Sequence, residues 1–159
     1  MRAGAVLSDD GVYRYRLWRH WGPDELMAWI MLNPSTADAS IDDPTIRRCM
    51  GFARREGYDG IEVINLFALR ATDPKELVGH PDAEGPDNVE AWREVLFSHR
   101  VGMIVAGYGN AAARLPGSRA ANRWRSGGWY CLGSTKAGHP RHPLYVAGGR
   151  ELVPFRAEP

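Results

Sequence analysis

The chain has 159 residues, 44% of them hydrophobic and 25% charged, which suits one domain with a real core (1–159) and leaves too few for two. No apolar run approaches bilayer length, and the opening MRAGAVLSDDGVYRY turns acidic and polar before a signal-peptide core forms, so a cytoplasmic protein without a membrane partner is expected. Two cysteines, Cys49 and Cys131, stand outside any CxxC pair, which argues against a disulfide framework or a cysteine zinc site and for two buried thiols.

In chain order, AVLS and VYRYRLW read as the arms of a β-hairpin turned at Asp10-Gly11. Alternation in the second arm assigns Tyr13, Tyr15 and Leu17 to one face, and Arg14, Arg16 and Trp18 to the other. LMAWIML follows, an uninterrupted apolar run of the kind that a strand buried on both faces requires, and the pattern returns at 61–65, 101–107 and 128–133. Asp43-Pro44 opens a helix whose apolar stripe is Ile46, Cys49, Met50 and Ala53, with Gly57 as its stop. A second helix is expected over 87–98, with Val89, Trp92, Val95 and Leu96 inward, and a third over 118–125. Strands alternating with helices predict βαβ units around a parallel sheet.

In such a sheet the chemistry gathers in loops at the carboxyl ends of strands. Four loops have distinctive content: Leu32-Asn33-Pro34-Ser35-Thr36-Ala37-Asp38, Asn65 through Thr72, Ala106-Gly107-Tyr108-Gly109-Asn110, and Thr135 through Tyr145 with its two His-Pro pairs. Each alone is an ordinary turn. In this order and placement they resemble the uracil-DNA glycosylase superfamily over residues 27–146. Met31-Leu32-Asn33-Pro34 is similar to the Gly-Ile-Asn-Pro motif of its mismatch-specific branch, and Asn65 matches the base-reading Asn that ends its second strand. Leu69-Arg70-Ala71-Thr72 resembles that branch's Arg-Pro-Thr stretch, and either His139-Pro140 or His142-Pro143-Leu144 corresponds to its His-Pro-Ser-Pro-Leu motif. The Asn-Pro-Ser-Thr-Ala and His-Pro-Leu-Tyr signatures also resemble those of an uncharacterised bacterial family.

The resemblance implies a three-layer α/β/α sandwich with a central four-stranded parallel sheet, here preceded by the hairpin. It also implies a monofunctional, cofactor-free enzyme that hydrolyses a damaged or modified base from DNA, in repair or in defence against phage. Asn33 stands where the strongest uracil-excising branch has an acidic residue, which argues against efficient removal of plain uracil.

The implied chemistry needs water at the anomeric carbon and donors aimed at the departing base. Asn33 is the candidate for positioning water, Asp38 the nearest candidate carboxylate, and His142 or His139 the group that favours departure of the base. Asp43 is read as a helix cap and Asp42 as a surface residue. Asn65 carries donors and an acceptor for a base edge, with Trp18, Phe67 and Tyr108 as base-binding aromatics. Ser35, Thr36, Arg70, Arg119, Arg123, Arg125, Lys136 and Arg141 are candidates for the DNA backbone, and Arg141 or Leu144 for a wedge.

The net charge of +1 is uneven: residues 71–100 carry seven acidic and three basic side chains, whereas 101–156 carry eight basic ones against Glu151 alone. That basic stretch fits either a phosphate-binding surface or a solvated face. Three rival readings share the motifs: an α/β hydrolase or binding protein for free nucleotides or nucleosides, a metalloenzyme using His80, His139, His142 and Asp38, and a DNA-binding module that does not cut. No metal site is expected, because no HxxxH or HExxH stands on a helix.

Overall fold

The structure is a computed structural model and describes residues 1–124 and 127–156. Its elements are β1 (Arg2–Leu7), β2 (Arg14–His20), β3 (Leu26–Met31), α1 (Pro44–Arg55), β4 (Gly60–Asn65), α2 (Asn88–Leu96), β5 (Val101–Ala106), α3 (Arg119–Arg123), β6 (Trp129–Cys131) and β7 (Val153–Phe155), with short 3-10 turns between some of them. The protein is mixed α/β, and the strands form one sheet in the order β1-β2-β4-β3-β5-β6-β7.

The four apolar runs become β3, β4, β5 and β6, and neighbours among them pair in parallel. The sheet nevertheless exceeds the four strands expected. The hairpin does not stand apart: β2 docks antiparallel on β4, and β7 docks antiparallel on β6. An open strand edge exposes a row of unpaired backbone groups, and both flanks of the parallel set are covered in this way.

β3 is buried along its whole length because it has a strand on each side and apolar side chains on each face. Met27, Trp29 and Met31 pack with Ile46, Cys49, Met50, Phe52 and Ala53 of α1. Ala28, Ile30 and Leu32 pack with Trp92 and Val95 of α2. Both cysteines are free and buried, and burial pushes their thiols up, away from the reactive thiolate.

Local signals account for the helix ends. Asp43 caps α1, its carboxylate accepting from the Ile46 amide at 2.9 Å, Pro44 occupies the first turn, and Gly57 follows at φ +83°. Along α2 the buried residues are Asn88, Ala91, Trp92 and Val95, with Val89 and Leu96 only partly covered, so the stripe is turned slightly from the expected one. Ser118 caps α3, and the helix ends at Arg123 with Trp124 as its C-cap, short of the expected span; Arg125 lies outside the described residues.

One periodicity reading fails. Val6 pairs with Arg16 and Leu7 with Arg14, which leaves Tyr15 as the extra residue of a β-bulge. The bulge resets the alternation, so Tyr13 and Tyr15 pack beside Ala91 of α2 while Leu17 joins the cluster around α1. No helix among the described residues is long and apolar enough to cross a membrane.

Candidate functional site

The carboxyl ends of β3, β4 and β5 open into a cavity of about 630 Å³. The loop after β3 contributes Asn33 and Ser35, and the start of α1 contributes Asp43, Thr45 and Ile46. Asn65 enters at the end of β4, Tyr108 through Ala111 after β5, Thr135, Arg141, His142, Leu144 and Tyr145 after β6, and Arg14 from the start of β2.

Asn65 is the most informative member. It is 1% exposed, yet neither its Oδ1 nor its Nδ2 has a hydrogen-bond partner. Its position is held by its backbone: the Asn65 carbonyl accepts from Asn88 Nδ2 at 3.0 Å and from Trp92 Nε1 at 2.8 Å. Native proteins leave few buried polar groups unmet, and each such group wants an explanation. Among the described residues six have buried side-chain polar atoms without a partner, and three of them, Asn65, Arg14 and Arg141, line this one cavity. Half of these residues thus gather at one cavity.

Asn33 is anchored differently. Its Nδ2 donates to the Pro34 carbonyl at 3.0 Å and to the Ala71 carbonyl at 2.8 Å, tying the loop after β3 to the loop after β4. Its donors are committed, and its Oδ1 is the group left to accept from a water.

Asp38 does not reach the cavity. Its Oδ1 accepts from the Ser40 and Ile41 amides at 2.8 Å each, and these bonds hold its carboxyl below the usual range. It closes a turn, as Asp residues commonly do. The carboxylate in the cavity is Asp43, which combines its capping bond with a place in the lining. Asp42 is not a free surface residue either: it pairs with the buried Arg19 at 2.7 Å.

Of the two candidate histidines, His142 lines the cavity. Its Nδ1 accepts from the Leu144 amide at 3.2 Å, capping a 3-10 turn over Pro143–Tyr145. Burial lowers its pKa, with Asp43 pulling weakly the other way. The ring is therefore neutral at pH 7, and with Nδ1 accepting, its proton sits on Nε2. His139 lies elsewhere, in a cavity of about 230 Å³ that also holds Phe67. Tyr108 borders both cavities. Gly107 is not in the lining; a side chain there would meet Met31 Sδ at 3.1 Å and Pro143 Cδ at 3.2 Å, so its smallness lets the two loops close together.

Several expected contacts are not brought to the site. Trp18 sits on the hairpin, its ring over Gly4 and 5.1 Å from the Arg16 guanidinium, because its register on β2 faces it away from the strand ends. Phe67 is core. Thr36 and Lys136 are exposed and outside the lining, and Arg70 reaches back toward Gly11. Arg119 pairs with Glu84 at 3.1 Å, and Arg123 lies over Trp124. Ser35 and Arg141 are the backbone-contact candidates that do line the cavity; Arg125 lies outside the described residues. His80 donates nothing here: its Nδ1 accepts from Asp82, and no group of three or more His, Cys, Asp or Glu among the described residues is placed to hold a metal.

The site residues that the sequence reading missed are Asp43, Arg14, Asn110 and Tyr145. Asp43 had a signal, its place at a helix start beside the first strand's loop, which its capping role concealed. Arg14 had none.

Fold and site together define a mixed α/β protein with a cavity of mixed polar and apolar lining at the carboxyl edge of its parallel strands. The family model described as "Protein of unknown function (DUF1643)" matches residues 14–144, and the chain belongs to that family. No curated protein and no solved structure matches the chain.

Proposed function

We propose that the protein is a DNA glycosylase that hydrolyses the N-glycosidic bond of a modified base held in this cavity, within a three-layer α/β/α arrangement around four central parallel strands. The observation that carries the reading is the buried, unpartnered amide of Asn65, a donor pair and an acceptor suited to one edge of a heterocycle. The cavity is about twenty water volumes. That exceeds a bare pyrimidine and suits a substituted base with part of its sugar.

In the proposed reaction the bond between C1′ and the base nitrogen breaks, its electron pair leaving with the base. Water supplies the new C1′–O bond and gives its proton through the Asp43 carboxylate to solvent, and the base takes a proton from solvent. Asn33 Oδ1 orients the water, Asp43 stabilises the cationic sugar, and His142 Nε2–H donates toward the departing base. Aimed electrostatic groups of this kind carry most of such a barrier reduction.

A second reading, hydrolysis of free nucleosides or nucleotides, is favoured by one observation: Arg119 and Arg123 lie away from the cavity, which leaves Arg141, among the described residues, as the arginine of the basic stretch in its lining. Incubation with DNAs of varied modified-base content, with the matching nucleosides in parallel, separates the two. Released base and abasic sites from DNA support the glycosylase; release from nucleosides alone selects the second reading. No release from either overturns both.

A further inference from the structure

Arg14 is a buried cation with no ion-pair partner among the described residues. It is 3% exposed and lines the cavity that holds Asn65. Its one hydrogen bond from the side chain runs from Nη1 to the Ala37 carbonyl at 2.5 Å, and its Nε is buried with no partner. No carboxylate among the described residues lies within 4.0 Å of it. Its charged surroundings are Asp43 and Asp38 on one side of the balance and Arg70 and Arg19 on the other. Of these, Asp38 is spent on its own turn and Arg19 on Asp42. Burial lowers the guanidinium to about 10, so it remains charged at neutral pH. Proteins tolerate a buried charge when it is paired or when it has work to do on a ligand.

We propose that Arg14 is the anion-binding group of the cavity: it receives the negative charge that develops on the departing heterocycle, so the ligand class is a base whose ring ionises on leaving. The inference rests on the base-binding reading given above. When the C1′–N bond breaks and its electron pair stays on the ring, Arg14 offers a fixed cation in a low-dielectric wall, while His142, being neutral, offers only a dipole. Arg14 keeps its proton throughout, and the base is later protonated by solvent. A guanidinium is suited to the task because its planar fork meets a ring nitrogen and an adjacent oxygen together.

The test uses the whole chain and two free rings of nearly the same shape at neutral pH, barbiturate, which is anionic, and uracil, which is neutral. Calorimetric binding is measured for the parent, Arg14→Gln and Arg14→Lys, with thermal unfolding of each as the check on folding. The parent is expected to bind barbiturate roughly tenfold tighter than uracil or more, the discrimination that a charge-assisted hydrogen bond supplies. Arg14→Gln should lose the preference while retaining uracil binding, and Arg14→Lys should keep part of it. If Arg14→Gln does not fold, the parent's own preference and its partial retention in Arg14→Lys decide the matter. Equal binding of both rings by the parent overturns the anion role and leaves base binding intact. Failure to bind either ring removes the base-binding reading itself. Arg14-dependent binding of inorganic phosphate with no binding of barbiturate overturns the assignment in favour of a phosphate subsite.

Discussion

Glu62 and Asn65 stand three residues apart on β4, both 1% exposed, and their surroundings are opposite in kind. Glu62 accepts two hydrogen bonds from Arg16 at 2.8 Å each and lies 3.0 Å from His20 Nε2, while neither side-chain atom of Asn65 has a partner. The odd spacing puts them on opposite faces of the sheet, Glu62 in a closed network with β2 and Asn65 facing the cavity. A charged group needs its partners from the protein at all times, because an uncompensated buried charge is costly. An amide left open costs about 1–3 kcal/mol, a sum a domain can carry where a ligand supplies the bonds. On the proposed reading, the difference separates a polar group that holds the fold from one that waits for a substrate.

The largest expected effects test the cavity side of this contrast. Asn65→Ala, His142→Ala and Asp43→Asn should each slow base release roughly a hundredfold to a thousandfold in single-turnover assays. Asp38→Asn should leave the rate at the parent value, since its carboxylate closes a turn. A slow Asp38→Asn with a fast Asp43→Asn would reverse the assignment of the two carboxylates. Next in size is Glu62→Leu, which strands Arg16 and His20 and should cost about 3 kcal/mol in denaturant unfolding, the low end for a broken buried pair because Arg16 can turn to Glu94 and water. Base release by the folded fraction should not change, and if it does, the network belongs to the site.

Asn65→Leu should act in the opposite sense to Glu62→Leu, raising stability by about 1 kcal/mol as it removes unmet polar atoms, while abolishing binding. A loss of stability on that substitution would mean the amide is bonded in solution. Smaller again is the acid limb. Burial alone would raise the Glu62 pKa, but the bonds and charges of Arg16 and His20 outweigh it and hold the carboxyl below its usual 4.5. Its contribution to stability is thus present above pH 4.5 and lost as pH falls through the depressed value. Glu62→Gln should flatten that limb in unfolding measured against pH. The smallest effect is spectroscopic: NMR titration should place the His142 midpoint below 6.5 with Nε2 protonated in the neutral ring, and Asp43→Asn should lower it further.

What could be read from the residues alone was whatever depends on near neighbours. The apolar runs fell within a residue of β3, β4 and β5 and within two of β6, since an uninterrupted hydrophobic segment of that length favours burial wherever it lies. Asp43-Pro44 and Gly57 bounded α1 because capping and a positive φ are satisfied within one turn. The strand-end rule placed Asn33, Asn65, Gly107 and His142 at one cleft before any contact was known; Asn33, Asn65 and His142 line the cavity, and Gly107 does not.

Only the tertiary structure decided the rest. It turned Trp18 away by its register on β2, and it brought Arg14 in through a single bulged residue, Tyr15, which resets the side chains before it on the strand. It gave His142 rather than His139 to the cavity, though both precede proline, and it tied Arg119 to Glu84, 35 residues distant in the chain. It put Asp43 rather than Asp38 in the cavity lining, the latter closing its own turn. Strand order and register bring together residues that local pattern treats as independent, and neither is encoded within the few residues over which propensity and periodicity act.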